Sequence, residues 1–410
     1  MIIKTSPLAP KKIKKLYEID GVSISSVSCG IKKNFKDDLV LIKFNSPSKI
    51  YGVFTNSKTP GAPIVWNKSI IKNGKVSALI INSGNANVFN GKKGEEALKK
   101  IISALSFKLS VSEKEIFMAS TGVIGEPLDY KKIIGKIPQL ITNLSNTPES
   151  WLKAANAIRT TDTFPKLYSE KIKYDKKENF YINGIAKGSG MIAPNMATML
   201  SFIVSNIPLE KNDTKTKFEN IVEQTFNSIT VDSDTSTSDM VLLMLVENKQ
   251  RKSLGPQKKK KFFDKLTTLM TNLAHQIVKD GEGASKFIKI SVDGAQNYKD
   301  AKNLGMSIAN SPLFKTAMAG SDSNWGRIIM ALGKTGVVLN NSKISIKFGH
   351  FFILKSGENL LLKNVKKINN YLKRKEIEIS VVVGNGSGSS SVWTCDLTKN
   401  YISINTDYRS

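Results

Sequence analysis

The chain has 410 residues, 40% apolar and 23% charged, which is too long for one ordinary core and has the balance of a globular protein of two or more packed domains. Its net charge is +27, from 61 Lys and Arg against 34 Asp and Glu. The Lys is scattered, and no zinc-finger spacing or RNA-binding aromatic signature accompanies the one dense run, Lys258 to Lys261, so the charge reads as solvated surface rather than a nucleic-acid interface.

Predicted strands and helices alternate irregularly along the chain. Leu39 to Phe44 and Val76 to Ile81 read as strands. Leu98, Ile101, Ile102, Leu105 and Leu109 then line one face of a helix. A break is expected near Ser145 to Glu149. Thr198 to Ser205 and Met240 to Glu247 are the next strands. The apolar run from Met240 to Val246 is far too short to span a membrane as a helix. After a break at Arg251 to Lys261, the residues Phe263, Leu266, Met270, Leu273 and Ile277 line a second helix, and a third break falls at Gly281 to Ser285. Strands follow at Phe287 to Val292, Lys343 to Phe348 and Ile377 to Val383, with Ser311 and Ser323 as N-cap hydroxyls of intervening helices. The pattern is mixed α and β, without the spacing of a simple βαβ series. Cys29 and Cys395 supply neither a metal spacing nor a disulfide framework, and the Lys-rich start lacks the apolar stretch of a signal peptide. The bacterial cytoplasm, with no membrane partner and no metal, is the expected setting.

Several segments have compositions that carry chemistry. Ala186 to Leu200 is a Gly-rich loop, then Pro and Asn, running into a strand that begins at Thr198. Gly188 and Gly190 open backbone conformations closed to other residues, and the small Ala197 leaves its carbonyl open to attack by Thr198. Taken alone, the segment reads first as a plain glycine loop leading into a strand, and the Walker spacing of a phosphate cradle is absent. Met118 to Glu126 is a second Gly-rich segment, a turn whose amides are able to converge on an anion. Asn82 to Asn87 reads as structural turns or as a substrate rim. Three polar clusters remain: Arg159 to Thr163, Asp232 to Asp239, and Asp280 to Ala284. The middle one resembles a metal loop but lacks the Gly and distal Glu of an EF-hand. In the last, Glu282 lies between two glycines and is placed to receive an ammonium group. His275 and His350 are the only histidines, and neither adjoins a Ser or Cys motif.

As an ordered set, these segments resemble the ornithine acetyltransferase (glutamate N-acetyltransferase) family. The matching stretches are Asn82 to Asn87, Ser120 to Gly125, Thr160 to Thr163, Lys187 to Leu200, Asp232 to Asp239, Gly281 to Ala284, Ser321 to Gly333 and Trp393 to Ser410. The resemblance implies a layered α/β sandwich, helices packed on stacked sheets, self-cleaved between Ala197 and Thr198. Residues 1–197 would form an α chain carrying the oxyanion-hole and substrate segments. Residues 198–285 would open the β chain with the nucleophile, and 286–410 would form its C-terminal domain, with the tail returning to the site. Thr198 is implied as nucleophile and Thr121 with Gly122 as the oxyanion pair. Thr161, Lys187, Thr198, Glu282, Asn405 and Ser410 are implied as substrate contacts, with Thr160 a rival to Thr161. The family moves acetyl from N-acetylornithine to glutamate without a cofactor, and some members also use acetyl-CoA as co-substrate. Two cleaved protomers would form a heterotetramer. Val88-Phe89 and Gly61 depart from the family's pattern around the pocket.

A threonine hydroxyl needs a base. Cleavage before Thr198 would free its own α-amine, with a reference pKa of about 8, able to accept a proton in a chain poor in histidine. The alternative reading is a self-processing N-terminal-nucleophile aminopeptidase or amidase of similar fold.

Overall fold

The computed structural model describes residues 4–33, 36–173, 179–193, 199–209, 214–247 and 254–406. The strands run β1 (Val22–Val27), β2 (Leu39–Phe54), β3 (Lys75–Asn85), β4 (Ile116–Val123), β5 (Lys166–Lys173), β6 (Asn179–Lys187), β7 (Leu200–Ser205) and β8 (Met240–Leu245). Among the described residues these eight form one sheet in the order β4-β3-β2-β8-β7-β6-β5, with β1 paired to β2. The helices on this half are α1 (Ala62–Ile70), α2 (Gly91–Leu109), α3 (Tyr130–Thr142), α4 (Pro148–Ala157), α5 (Thr214–Gln224) and α6 (Pro256–Lys279). A second sheet takes the remaining strands, β9 (Phe287–Ala295), β10 (Ser345–Phe348), β11 (Phe351–Lys355), β12 (Glu358–Asn359), β13 (Glu376–Val382) and β14 (Gly388–Cys395). Its helices are α7 (Tyr298–Ala309), α8 (Pro312–Ala319), α9 (Gly326–Gly333) and α10 (Leu361–Leu372), and α11 (Lys399–Thr406) follows.

The apolar runs fall where both faces of a strand are covered. In β8, Val241, Leu243 and Leu245 pack with α5 and α6, while Met240, Leu242 and Met244 join the core on the opposite face with Trp151 of α4 and Ile64 of α1. A central strand buried on both faces needs an unbroken apolar run rather than an alternating one. The α2 face of Leu98, Ile101, Ile102 and Leu105 packs with α3 against Ala78 and Ile80 of β3. The α6 stripe is completed by Phe262, which is buried, whereas Phe263 only packs at its edge. Its first turns carry Lys258, Lys260 and Lys261 as an exposed face. The second sheet packs α7 to α10 over Ile288, Ile290, Ile377 and Ile379. Its other side meets α6, because Phe287 and Cys395 belong to the α5–α6 core and His275 is wedged between Phe287 and Trp393. The result is a layered α/β sandwich. None of the described helices is long and apolar enough to cross a membrane.

Ser311 caps α8 by accepting from the Phe314 N–H, as its sequence suggests. Ser323 does not cap α9: that helix begins at Gly326 after Trp325, and the Ser323 carbonyl is taken by the Trp325 N–H. The Met118 to Glu126 segment is not a free-standing turn. Its first half completes β4, paired in parallel with β3.

Burial and the nearby Lys279 push His275 down to about 4, and its Nε2 has no partner among the described residues. The unfolded chain takes up this proton below the ordinary value near 6.5, while the folded chain resists until about pH 4. Stability is therefore lost as pH falls through that window, by about 3 kcal/mol for a shift of this size. In urea titrations at pH 7 and pH 4.5, His275→Leu is expected to lose less stability than the parent over that interval. An equal loss in both proteins would show that His275 does not drive it.

Candidate active site

Segments from seven parts of the chain meet at one end of the larger sheet. Thr121, Gly122, Thr161, Lys187, Glu282 and Asn405 line a single cavity of about 300 Å³. Thr160 lines it as well, so both hydroxyls of the Arg159 to Thr163 loop face the same space. Ala197, Thr198 and Ser410 lie outside the described residues.

The Thr121–Gly122 pair stands at the end of β4, where the register with β3 shifts around Asn85. Gly122 has φ +133°, and a Cβ there would sit 2.3 Å from the Gly84 carbonyl carbon, so only glycine allows the two strand ends this close. Lys187 is the last residue of β6, almost fully buried, and its Nζ donates to Thr121 Oγ1 at 3.1 Å. Burial lowers its pKa, partly offset by Asp162, Asp239 and Glu282. An ammonium so placed leaves the Thr121 hydroxyl hydrogen free to point into the cavity, beside a positive charge.

Beneath the cavity runs a buried ionic bridge that sequence reasoning missed. Lys166 Nζ lies 2.6 Å from Asp162 Oδ1 and 2.6 Å from Asp280 Oδ2, all three side chains being wholly inaccessible. Asp162 also accepts from the Gly188 N–H (2.8 Å) and the Thr160 N–H (3.0 Å). Asp280 accepts from the Thr163 N–H (2.9 Å) and from its hydroxyl. Burial would raise the Asp162 carboxyl, but Lys166, Lys187 and the Gly188 N–H together hold it well below the usual range. Burial prevails at Asp280, which is raised.

Glu282 follows two residues after Asp280 and accepts from Asn405 Nδ2 at 2.8 Å, which brings α11 back to the cavity. Gly190 makes room for it, since a Cβ there would stand 2.5 Å from the Glu282 carboxyl group. The need at Gly190 is space, and the positive φ belongs to Gly188.

Two more missed residues grip the backbone on either side of residues 194–198. Asp232 accepts from the N–H groups of Met191 (2.6 Å) and Ile192 (2.8 Å). Asp239, just before β8, accepts from the Met199 N–H at 2.5 Å through Oδ1, and its buried Oδ2 has no partner among the described residues. Burial raises Asp239 well above the usual carboxyl range, despite the Met199 N–H and Lys187. The signal in sequence was two Asp bracketing a Ser/Thr run, which a metal-loop reading did not separate. Both carboxylates are engaged by backbone amides.

The remaining candidates are structural. Asn82 accepts from Ser120 Oγ (2.6 Å), Asn85 donates to the Glu126 carbonyl (3.0 Å), and Asn87 donates to the Gly94 carbonyl (3.0 Å). Their side chains hold turns, and only Ala86 of that segment faces the cavity. Burial and Asp38 push the Cys29 thiol up to about 12, and Cys395 is raised by burial too, which removes both as thiolate nucleophiles.

Removing Lys166 would leave two buried carboxylates without their shared cation. Lys166→Met is expected to lower unfolding free energy by about 3–5 kcal/mol. Urea denaturation checks this, and a loss below about 1 kcal/mol would place the stabilisation of the loops elsewhere.

Comparison with known proteins matches the sequence over nearly its whole length. The family model described as the ArgJ family covers residues 23–410. The arginine biosynthesis bifunctional protein ArgJ of Bartonella quintana is 44% identical over the whole length of both chains. A solved chain of the protein of that name from Bacillus halodurans is 38% identical, covering 52% of this chain and 100% of its own, with a TM-score of 0.49. The Mycobacterium tuberculosis ornithine acetyltransferase, solved in complex with ornithine, is 25% identical over 46% of this chain and 95% of its own, with a TM-score of 0.36. From the full-length match of family and sequence, the chain belongs to the ArgJ family.

Proposed function

We propose that this ArgJ-family enzyme of arginine biosynthesis moves an acetyl group from N-acetylornithine to glutamate through an ester on Thr198, after cutting itself between Ala197 and Thr198. The observation that carries this reading is the convergence of Thr121, Gly122, Lys187, Glu282 and Asn405 on one cavity. Met191, next to the anchored Ile192, and Ser238, next to the Asp239 that holds the Met199 N–H, line the same cavity.

In the cleavage step the Thr198 hydroxyl adds to the Ala197 carbonyl, and the peptide nitrogen leaves as the Thr198 amine. Water then hydrolyses the Ala197 ester and restores the hydroxyl. In turnover that amine takes the hydroxyl proton as Oγ attacks the acetyl carbonyl, and returns it to the departing ornithine nitrogen. The α-amine of glutamate attacks the acetyl ester and carries the acetyl away as an amide. The tetrahedral oxyanion of each step would be met by the Thr121 hydroxyl and the Gly122 N–H. Such donors contribute about 3–4 kcal/mol each in other enzymes. Lys187, whose setting lowers its pKa, gains from any anion that arrives, whether oxyanion or substrate carboxylate. Glu282, oriented by Asn405, would take the ornithine side-chain ammonium, and Thr161 or Thr160 the polar backbone of the substrate. The C-terminal Ser410 would close the same side. Two cut protomers would assemble as a heterotetramer.

Two measurements test this. Intact mass of the purified protein is expected to show two fragments, beginning at Met1 and Thr198. Thr198→Ala should stay one chain and lose transfer by about a thousandfold or more, whereas Thr198→Ser should still cut and retain some transfer. An active Thr198→Ala would overturn the nucleophile. Release of ornithine should require glutamate, and glutamate-independent hydrolysis would instead favour an amidase. Glu282→Gln should leave cutting intact and raise KM for N-acetylornithine about 10- to 100-fold, the worth of a hydrogen bond to a charged group. An unchanged KM would remove Glu282 from the ornithine site.

A further inference from the structure

Asp239 occupies the last position before β8, and Met199 the last position before β7, at the head of a parallel pair whose register begins with Leu200 opposite Met240. Backbone bonds fix the spot from both sides. Asp239 Oδ1 accepts from the Met199 N–H at 2.5 Å, and the Met199 carbonyl accepts from the Met240 N–H at 3.1 Å. The Asp239 carbonyl accepts from the Thr55 N–H at 3.0 Å, and Thr55 Oγ1 donates to the Ser236 carbonyl at 2.7 Å. The carboxyl group itself is only half used. Asp239 is 1% exposed, and its Oδ2 has no partner among the described residues. Lys187, the cation whose field acts on it, donates to Thr121 Oγ1 instead. An ionised carboxyl taken out of water without a paired cation is costly, whereas the neutral acid keeps one acceptor for the Met199 N–H and one O–H to donate. Burial accordingly raises Asp239 well above the usual carboxyl range.

We propose, resting on the self-cleaving acyl-transfer reading above, that Asp239 is the positioning residue of Thr198, acting as a neutral acid through the peptide that joins Thr198 to Met199. The N–H it holds belongs to that planar peptide. The grip therefore orients the backbone of the nucleophile from its C-terminal side, against a strand pair buried in the middle of the sheet. Neutrality matters once the chain is cut. A carboxylate one residue from the freed α-amine would stabilise the ammonium form and raise its pKa, leaving less free amine to take the hydroxyl proton. The neutral acid orients the same backbone without holding that proton in place. Ser238 lines the reaction cavity and Asp239 does not, so the role is orientation of the nucleophile and not contact with substrate.

Two substitutions separate this role from the alternatives. Asp239→Asn keeps an acceptor for the Met199 N–H and puts an N–H donor where the neutral acid has its O–H, whereas Asp239→Ala removes both. Cutting is followed by intact mass. Transfer from N-acetylornithine to glutamate is measured per mole of cut protein, across the titration of an amine with a reference pKa of about 8. Asp239→Asn is expected to cut and transfer at the parent's rate, with the acid limb of its pH profile unmoved. Asp239→Ala is expected to slow cutting about a hundredfold or more, the cost of a misplaced reacting group. The kcat of its cut fraction should fall by a similar factor, with KM for N-acetylornithine unchanged. An Asp239→Ala protein that cuts and transfers like the parent would overturn the proposal. So would an Asp239→Asn protein that fails to cut, or whose acid limb moves down by about one unit or more, because either result means that a carboxylate charge was at work. If Asp239→Ala does not fold, Asp239→Asn decides by those same two readouts. A parent that is never cut, or an active Thr198→Ala, overturns the function proposed above and this role with it. A cut, active parent with indifferent Asp239 variants overturns the role alone.

Discussion

The site depends on one buried cation. Lys166 is held between Asp162 and Asp280, and through them three loops are tied at fixed spacing. Asp162 clasps the Thr160 and Gly188 amides, and Asp280 clasps Thr163. Desolvating three charges is costly, and well-packed apolar residues often give equal stability. What apolar residues would not supply is direction. Each carboxylate oxygen here points at a particular amide or hydroxyl, which sets where Thr160, Thr161, Lys187 and Glu282 stand around the cavity. The ion cluster is better understood as a jig than as glue.

A similar economy governs the glycines. Gly122 lets strand ends touch, while Gly190 leaves space for a carboxylate from another part of the chain. In sequence the two look alike. One meets a backbone demand and the other a packing demand, and only the fold separates them.

Much of the framework was legible because it follows from periodicity. The apolar run at Met240 became a central strand, the stripe from Leu266 to Ile277 became a helix face, and Ser311 became a cap. The cavity residues Thr121, Gly122, Lys187 and Asn405 came from resemblance, since nothing local distinguishes a glycine-rich strand end from a turn, whereas Glu282 was already marked by its place between two glycines. What stayed hidden was long-range pairing. Lys166 lies 114 positions from Asp280, and a lone Lys or Asp in a sequence reads as solvent-facing. Asp239 escaped for the same reason: its partner, the Met199 amide, is adjacent only because β7 and β8 run side by side. Ser323 misled in the opposite direction, a hydroxyl near a helix start that the helix does not use.

The order β4-β3-β2-β8-β7-β6-β5 places β7 and β8 in the middle of the sheet, between strands that all precede residue 188. A cut anywhere between Lys187 and Leu200 would therefore leave two polypeptides interleaved rather than two lobes side by side. Separating them would mean tearing out central strands, which is the same event as unfolding. Refolding, by contrast, would change its kinetic order. A single chain recovers at a rate independent of dilution, but two interleaved fragments must first collide. Below some concentration the unfolded fragments would no longer find each other before aggregating, so the protein would persist through the slowness of its unfolding rather than through its capacity to re-form. Such a molecule is assembled once, at synthesis, and thereafter only lost.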